Sequence, residues 1–373
     1  MRIALDARGI NWYRGTGIGT YTCNLLNNLL KIDKQDYFHI YWSGNNYENL
    51  TDSNTKIIMS SRKHHKFFEQ IYFPNNLIEE NIDIYHIPQN GIGLNNDITC
   101  RKIVTIHDLI PYLMPETVGR GYLKNFLRDI PEIIENSDGI ITVSECSKRD
   151  ILKFFPINED KVFVTPLAAD SKYKPLDKNL CRGFLKEKYA VSNPFILYIG
   201  GFSQRKNVRS LLIAFSEIKN KINDKISLVI VGATRDDSNS LISLSKRLGI
   251  FSDIIFTGYV PEEHLPILYN GCEIFVYPSL YEGFGLPPLE AMSCGAPVIT
   301  SNLTSIPEVV QDTGILINPY CTDELINALL IMLNNPKVKD DYIEKGLKRA
   351  SEFSWEKTAL KTLEIYKTVA SFV

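Results

Sequence analysis

Residues 273–297 read EIFVYPSLYEGFGLPPLEAMSCGAP. The opening EIFVYPS is a β-rich apolar run, and Glu282 through Leu286 form the loop at its end. Pro287 and Pro288 suit the first turn of a helix, where a missing N–H removes no intrahelical bond. Strand, glycine loop and helix thus follow one another directly. Two carboxylates flank the turn: Glu282 on the loop, and Glu290 about one turn into the helix. A structural corner accounts for the glycines and prolines but not for two carboxylates at this spacing. The amides of Phe284, Gly285 and Leu286 are expected beside them.

The same alternation runs outward in both directions. RIALDA, FHIYW, IDIYHI, KIVTIHDL and GIITVS are short β-rich runs toward the N-terminus, separated by helix-like stretches such as TCNLLNNLLKI. The pattern loosens at PLAADSKYKPLDKN, then restarts with PFILYIGG, ISLVIVG and DIIFTGYV. Strands alternating with helices imply parallel sheets covered on both faces. The reading is α/β, with two doubly wound domains over 1–170 and 191–354, a linker over 171–190, and a cleft between them. A closing helix at 355–373 is expected, with Ser354 as N-cap and Trp355, Ala359, Leu363, Tyr366 and Val369 on one face.

The 373 residues suffice for two cores, and 44% apolar with 23% charged residues is a globular composition. A net charge of −2 gives no global attraction to nucleic acid. Seven scattered cysteines without a C-x-x-C pair fit a reducing cytoplasm. MRIALDARGI lacks the apolar core of a signal peptide, and no run matches a spanning helix.

Ligands of open α/β sheets bind beyond the carboxyl ends of the strands. After the first strand comes Gly15-Thr16-Gly17-Ile18-Gly19-Thr20. Such glycines free backbone amides for an anion at a helix start, but they equally fit a tight turn. Thr20 stands where a dinucleotide fingerprint needs glycine, and no acidic residue closes FHIYW, which disfavours a nicotinamide site. After KIVTI come His107 and Asp108, placed to bond a hydroxyl-rich substrate; the bland alternative is a buried histidine satisfied by backbone. After PFILYIGG come Arg205 and Lys206, read as opening the next helix. Cations are unfavourable at the positive end of a helix dipole unless an anion joins them, so a diphosphate is the expected ligand.

Several stretches resemble the retaining nucleotide-sugar glycosyltransferases of family 4, which have the GT-B fold. They are TGIGTYT, TIHDLIPYLMPE, ITVSECSKRDI, YIGGFSQRKNVRSLLIAF, EGFGLPPLEAMSCGAPVI and FSWEKTALKTLEIYKT, and together they span essentially the whole chain. The resemblance implies that Gly17 approaches the donor diphosphate, His107 contacts the donor sugar, and Arg205 and Lys206 neutralise the leaving group. It implies that Glu282, with the Phe284, Gly285 and Leu286 amides, holds sugar hydroxyls, that Glu290 holds the ribose, and that Tyr259 and Val260 pack on the base. It further implies that the terminal helix crosses back to the N-terminal domain. Many members carry arginine where Gly201 stands, which leaves Arg205 to supply that charge.

The implied reaction moves a hexose from a nucleoside diphosphate to an acceptor hydroxyl by front-face attack, with domain closure assembling the site. No metal or other cofactor is expected. Mannosyl- and rhamnosyltransferases of bacterial surface-glycan assembly are the nearest in pattern, which points to a glycan or lipid-linked acceptor in polysaccharide or lipopolysaccharide synthesis. Arg62, Lys63 and Lys66, followed by Phe67 and Phe68, suit an anionic membrane surface or an acceptor's phosphates. They suit equally a solvated helix packed through its aromatics. The competing functions are a sugar-nucleotide epimerase, which needs ring acid–base groups, a non-catalytic relative, which would have lost the donor residues, and a phosphorylase, for which the chain is too short.

Overall fold

In the computed structural model, which describes residues 1–222, 225–233 and 238–372, the chain divides into two units. The first comprises Met1–Leu167 with Ser354–Val373, the second Ala168–Phe353. The boundary falls close to the expected one, but the expected linker over 171–190 is not a connector. It contains the helix Lys178–Tyr189, capped by the Asp177 side chain on the Leu180 amide, and belongs to the second unit. Asp177 offers the carboxylate cap that an N-terminus favours, and Cys181 and Leu185 are buried on the inner face.

The first unit is built on a seven-stranded sheet in the order β3-β2-β1-β4-β5-β6-β7. The strands are β1 Arg2–Asp6, β2 Tyr37–Trp42, β3 Thr55–Met59, β4 Ile84–Ile87, β5 Arg101–Thr105, β6 Gly139–Thr142 and β7 Val162–Val164. The second holds a six-stranded sheet in the order β10-β9-β8-β11-β12-β13. Its strands are β8 Phe195–Ile199, β9 Ser227–Val231, β10 Ile254–Gly258, β11 Ile274–Tyr277, β12 Val298–Ser301 and β13 Ile315–Ile317. Every pairing described is parallel. The central strands are correspondingly buried along their length, as β9 (SLVIV) and β11 (IFVY) show.

Strand order reverses between β1 and β4 in the first unit and between β8 and β11 in the second. Adjacent loops diverge at such a switch point, leaving a crevice at the strands' carboxyl ends. The loops after β8 and β11 carry Arg205, Lys206 and Glu282, so the second unit's switch point lies under the residues singled out in the sequence.

The helix Trp355–Ala370 belongs to the first unit. Ser354 Oγ accepts from the Lys357 amide at 3.2 Å, and Trp355, Ala359, Leu363, Tyr366 and Val369 are all buried. Each large apolar side chain placed so contributes about 1.5–3 kcal/mol. The helix seats closely: a Cβ on Gly139 of β6 would lie 2.8 Å from Val369 Cγ2. Val373, the last residue of the expected helix, lies outside the described residues.

Candidate active site

The turn Gln204–Lys206 after β8 is a single 3₁₀ turn that precedes the next helix instead of opening it. Asn207 then adopts a left-handed conformation (φ 53°), and the helix proper is Val208–Ile218. Asn is among the few side chains that tolerate this conformation, and it is secured here. Its Nδ2 donates to Pro319 O at 2.8 Å, and its Oδ1 accepts from Ser210 Oγ at 2.7 Å. Arg205 and Lys206 are thereby set off the helix axis.

This turn is bound to the loop after β11 by both its backbone and its side chains. Arg205 O accepts from the Leu280 amide at 2.8 Å and from Ser279 Oγ at 3.2 Å, while Arg205 NH1 donates to Tyr281 O at 2.5 Å. Glu282 lies at the centre. Its Oε1 accepts from Lys206 Nζ at 2.7 Å, Arg205 NH1 at 2.9 Å, Ser279 Oγ at 2.5 Å and Tyr277 OH at 3.1 Å. The three charged side chains are only 12–15% exposed. Burial opposes ionisation of Glu282, but the Lys206 ammonium and Arg205 guanidinium outweigh it and hold the carboxyl down to about 2. Lys206 Nζ also lies 4.9 Å from the centre of the Tyr277 ring.

The loop continues into the helix Leu286–Ser293 through Gly285, whose φ of 117° is open only to glycine. A Cβ there would also approach Ile306 Cδ1 to 2.8 Å. Pro287 and Pro288 occupy the first turn as expected. Among the described residues, no bond is made by the amides of Phe284, Gly285 and Leu286, which are the orphan donors of a helix start. Phe284 is buried edge-on to Phe353.

Glu290, in the second turn of this helix, meets a different environment. Tyr269 OH donates to its Oε2 at 3.0 Å, and the Tyr173 phenol is near enough to act on its carboxyl. Burial dominates and raises its carboxyl to about 7, with the two phenols limiting the rise. Val260 is buried, whereas Tyr259 is 76% exposed.

A family model described as "Glycosyl transferases group 1" matches residues 184–349. The O-antigen chain mannosyltransferase B of Escherichia coli is 35% identical over 267 residues, covering 72% of this chain and 70% of that protein. The chain belongs to the group 1 glycosyltransferases. It is also 30% identical over 273 residues to the serotype-specific mannosyltransferase WbdA of Escherichia coli, of which the match spans about a third. Sucrose-phosphate synthase from Thermosynechococcus elongatus superposes with a TM-score of 0.77 at 21% identity, covering 99% of this chain and 98% of that one. That likeness establishes the two-unit GT-B fold.

In this glycosyltransferase the structure brings together Arg205, Lys206, Glu282, Phe284, Gly285 and Leu286, with Glu290 one turn along. Tyr277 and Ser279, which complete the cage around Glu282, were not singled out in the sequence. The strand-end rule applied to VYPS points to both. Tyr173 and Tyr269, the partners of Glu290, come from distant segments and leave no local signal.

The first unit holds the remaining candidates. Gly17 is the first residue of the helix Gly17–Ile32, and a Cβ on it would meet open space. The sterically required glycine is instead Gly19, where a Cβ would lie 2.4 Å from Tyr13 O. The loop is therefore a tight turn at Gly19 and open at Gly17. His107 follows β5. Its Nε2 lies 2.9 Å from Pro88 O, its amide donates to Asn90 Oδ1 at 3.0 Å, and its ring stands edge-on to Tyr21 at 4.8 Å. Burial lowers its pKa to about 4, so the ring is neutral with Nε2–H donated to Pro88. Asp108 Oδ1 accepts the Ile110 amide at 3.0 Å and so turns the chain into the next helical segment.

Arg62, Lys63, Lys66, Phe67 and Phe68 lie on an irregular helical segment that passes through 3₁₀, α and π geometry before the helix Phe73–Glu79. Phe67 is 50% exposed and Ile71 53%. Phe68 packs against the core, as the reading of a helix packed through its aromatics has it. Phe67 and Phe68 are consecutive, so helical geometry sets them about 100° apart on different faces, and the π turn Phe68–Tyr72 follows them.

Proposed function

We propose that this glycosyltransferase moves a mannosyl unit from a nucleoside-diphosphate mannose to a hydroxyl of a surface-glycan or lipid-linked acceptor, with retention of anomeric configuration. The observation that carries the donor chemistry is the cage at the second unit's switch point. Two cations share one carboxylate oxygen there, next to unbonded helix-start amides. The bonds described for Glu282 all fall on Oε1, so Oε2 is the oxygen offered to a sugar hydroxyl. Lys206 and Arg205 then act on the departing diphosphate, where negative charge develops in the transition state. In this reading they take the electrostatic part that a metal plays elsewhere, and no metal or organic cofactor is required. Glu282, fixed as a counterion, is not a free nucleophile, which favours attack on the leaving-group face over a covalent enzyme intermediate. Glu290 and its phenols take the ribose, Val260 and Tyr259 the base, and Gly17 and His107 the diphosphate and sugar from the first unit. Mannose is favoured by the 35% identity to the O-antigen chain mannosyltransferase B of Escherichia coli.

Among the described residues no helix is long and apolar enough to cross a membrane. Peripheral contact with the cytoplasmic membrane face is proposed for the 62–72 segment, where Phe67 and Ile71 project beside Arg62, Lys63 and Lys66.

The test is a thermal-shift titration with GDP, UDP, dTDP and ADP in the presence of a chelator, followed by transfer from the matching sugar nucleotide. At a hundredfold excess over Kd a bound nucleotide stabilises the fold by about 2.7 kcal/mol. A shift with GDP and chelator-resistant transfer from GDP-mannose, with the anomeric configuration kept, is the expected result. No shift with any nucleotide would remove the donor site; an inverted product would remove the mechanism.

A further inference from the structure

Four polar side chains are completely enclosed in the first unit where an apolar core would suffice. Tyr21, His86, Thr105 and Tyr366 are each at most 1% exposed. They come from four elements: the helix Gly17–Ile32, β4, β5 and the terminal helix Trp355–Ala370. Their polar atoms form one chain. Tyr366 OH lies 2.6 Å from His86 Nδ1, His86 Nε2 lies 2.8 Å from Thr105 Oγ1, and Thr105 Oγ1 lies 3.2 Å from Tyr21 OH. The ring of Tyr21 then stands perpendicular to that of His107, with centroids 4.8 Å apart.

His86 is neutral, because burial lowers its pKa to about 3 with a smaller contribution from His107, so one ring nitrogen donates and the other accepts. Among the described residues His86 is the hydrogen-bond partner of the Tyr366 phenol, whose proton would be stranded if His86 Nδ1 were the donor. The phenol therefore donates to Nδ1, and Nε2–H donates to Thr105 Oγ1, which shares a further hydrogen bond with Tyr21 OH. The buried Thr165 hydroxyl lies within electrostatic reach of Tyr21 and has no hydrogen-bond partner among the described residues. The three bonds of a buried polar chain such as Tyr366–His86–Thr105–Tyr21 fix the relative positions of its members.

We infer that Tyr21 is a positioning residue for His107, and that Tyr366 of the terminal helix governs it through His86 and Thr105. His107 is then held from two sides: Nε2–H by Pro88 O, and the ring by Tyr21. Its Nδ1 is kept as an unprotonated acceptor in one pose. The inference rests on His107 facing the donor sugar, as proposed above. It adds that the last helix of the chain sets the geometry of that contact without touching substrate.

The experiment combines Tyr21→Phe and Tyr366→Phe, each alone and with His107→Gln, in the full chain. Long-range 1H–15N spectra of histidine-labelled protein report each ring, and GDP-mannose turnover reports the site. Tyr366→Phe is expected to move the His86 resonances and Tyr21→Phe those of His107. Each should lower kcat by about tenfold, the scale of one neutral hydrogen bond, with KM for GDP-mannose within about twofold. In the His107→Gln background neither should lower kcat further. A purely structural role lowers Tm but leaves the His107 signals and kcat unchanged, or adds fully to His107→Gln; either result overturns the inference. Full activity in His107→Gln alone would overturn the reading of the site and this inference together. Should GDP-mannose not turn over at all, the choice of donor falls, and unchanged His107 signals in Tyr21→Phe would still overturn the inference by themselves.

Discussion

Glu282 and Glu290 are the same side chain on one continuous loop and helix, yet their protons are held in opposite ways. Two cations hold Glu282 down to about 2 against its burial. Glu290 has burial answered mainly by two phenols, with a smaller pull from the Lys172 ammonium, and it rises to about 7. The difference is one of environment: a carboxylate among cations is a permanent charge, while one among hydroxyl donors is neutral for part of the physiological range and gains most from a further donor. The first suits a region that must organise a diphosphate. The second suits a neutral polyol such as a ribose.

The sharpest way to break this contrast is to remove a cation. Lys206→Ala is expected to lower turnover by about 10²–10³-fold, the range for one transition-state donor. It should also raise the Glu282 pKa toward 4.5, visible as lower stability at neutral pH and a smaller further loss between about pH 4.5 and 2. Normal turnover would mean that the cations serve stability alone. Glu282→Gln comes next, with a drop of about 10²-fold in kcat at nearly unchanged GDP affinity, which calorimetry can separate. This variant also tests the linkage. The folded pKa of Glu282 lies below the unfolded value of 4.5, so its contribution is present above about 4.5 and lost as pH falls toward 2. Glu282→Gln should flatten that part of the stability profile.

Glu290→Gln has a smaller effect, of a different kind. Nucleotide affinity should weaken by roughly tenfold, about the worth of a hydrogen bond to a charged group, with kcat at saturation largely kept. In the native protein, affinity should rise as pH passes upward through about 7 and Glu290 becomes the acceptor a ribose needs. That increment should be missing from Glu290→Gln, and its persistence there would assign it to the phosphate. The smallest effect is expected from Tyr269→Phe. Loss of a 3.0 Å bond to Glu290 moves the affinity midpoint to higher pH and changes Kd only a few-fold.

The charged half of this contrast was largely legible in the sequence, because a carboxylate after a strand and cations after its neighbour can be placed by the switch-point rule alone. The strand–loop–helix phrase around Glu282, the proline start of the helix and the inward face of the terminal helix all carry local patterns, and all are present. The raised pKa of Glu290 was not legible, since Tyr173 and Tyr269 reach it from outside its own segment. The edge strands β3 and β7 were also not singled out. β3 has a mixed burial pattern and β7 only three residues, so neither carries a long apolar run. Arg205 and Lys206 were expected to open the helix because VRSLLIAF dominates the window, and the left-handed Asn207 shows where that helix begins. In the 62–72 stretch a π turn breaks the 3.6-residue period on which any assignment of faces depends.

The terminal helix has a further consequence for how the chain comes off the ribosome. Domains tend to fold as they are synthesised, N-terminal first. Here the unit that starts at Met1 also includes Ser354–Val373, so it cannot close its core while the second unit is being made. His86 waits for Tyr366, and Gly139 for Val369. The first unit to be translated is thus the last to be completed, and a nascent chain that stalls before the final helix should release a finished second unit joined to an unfinished first one.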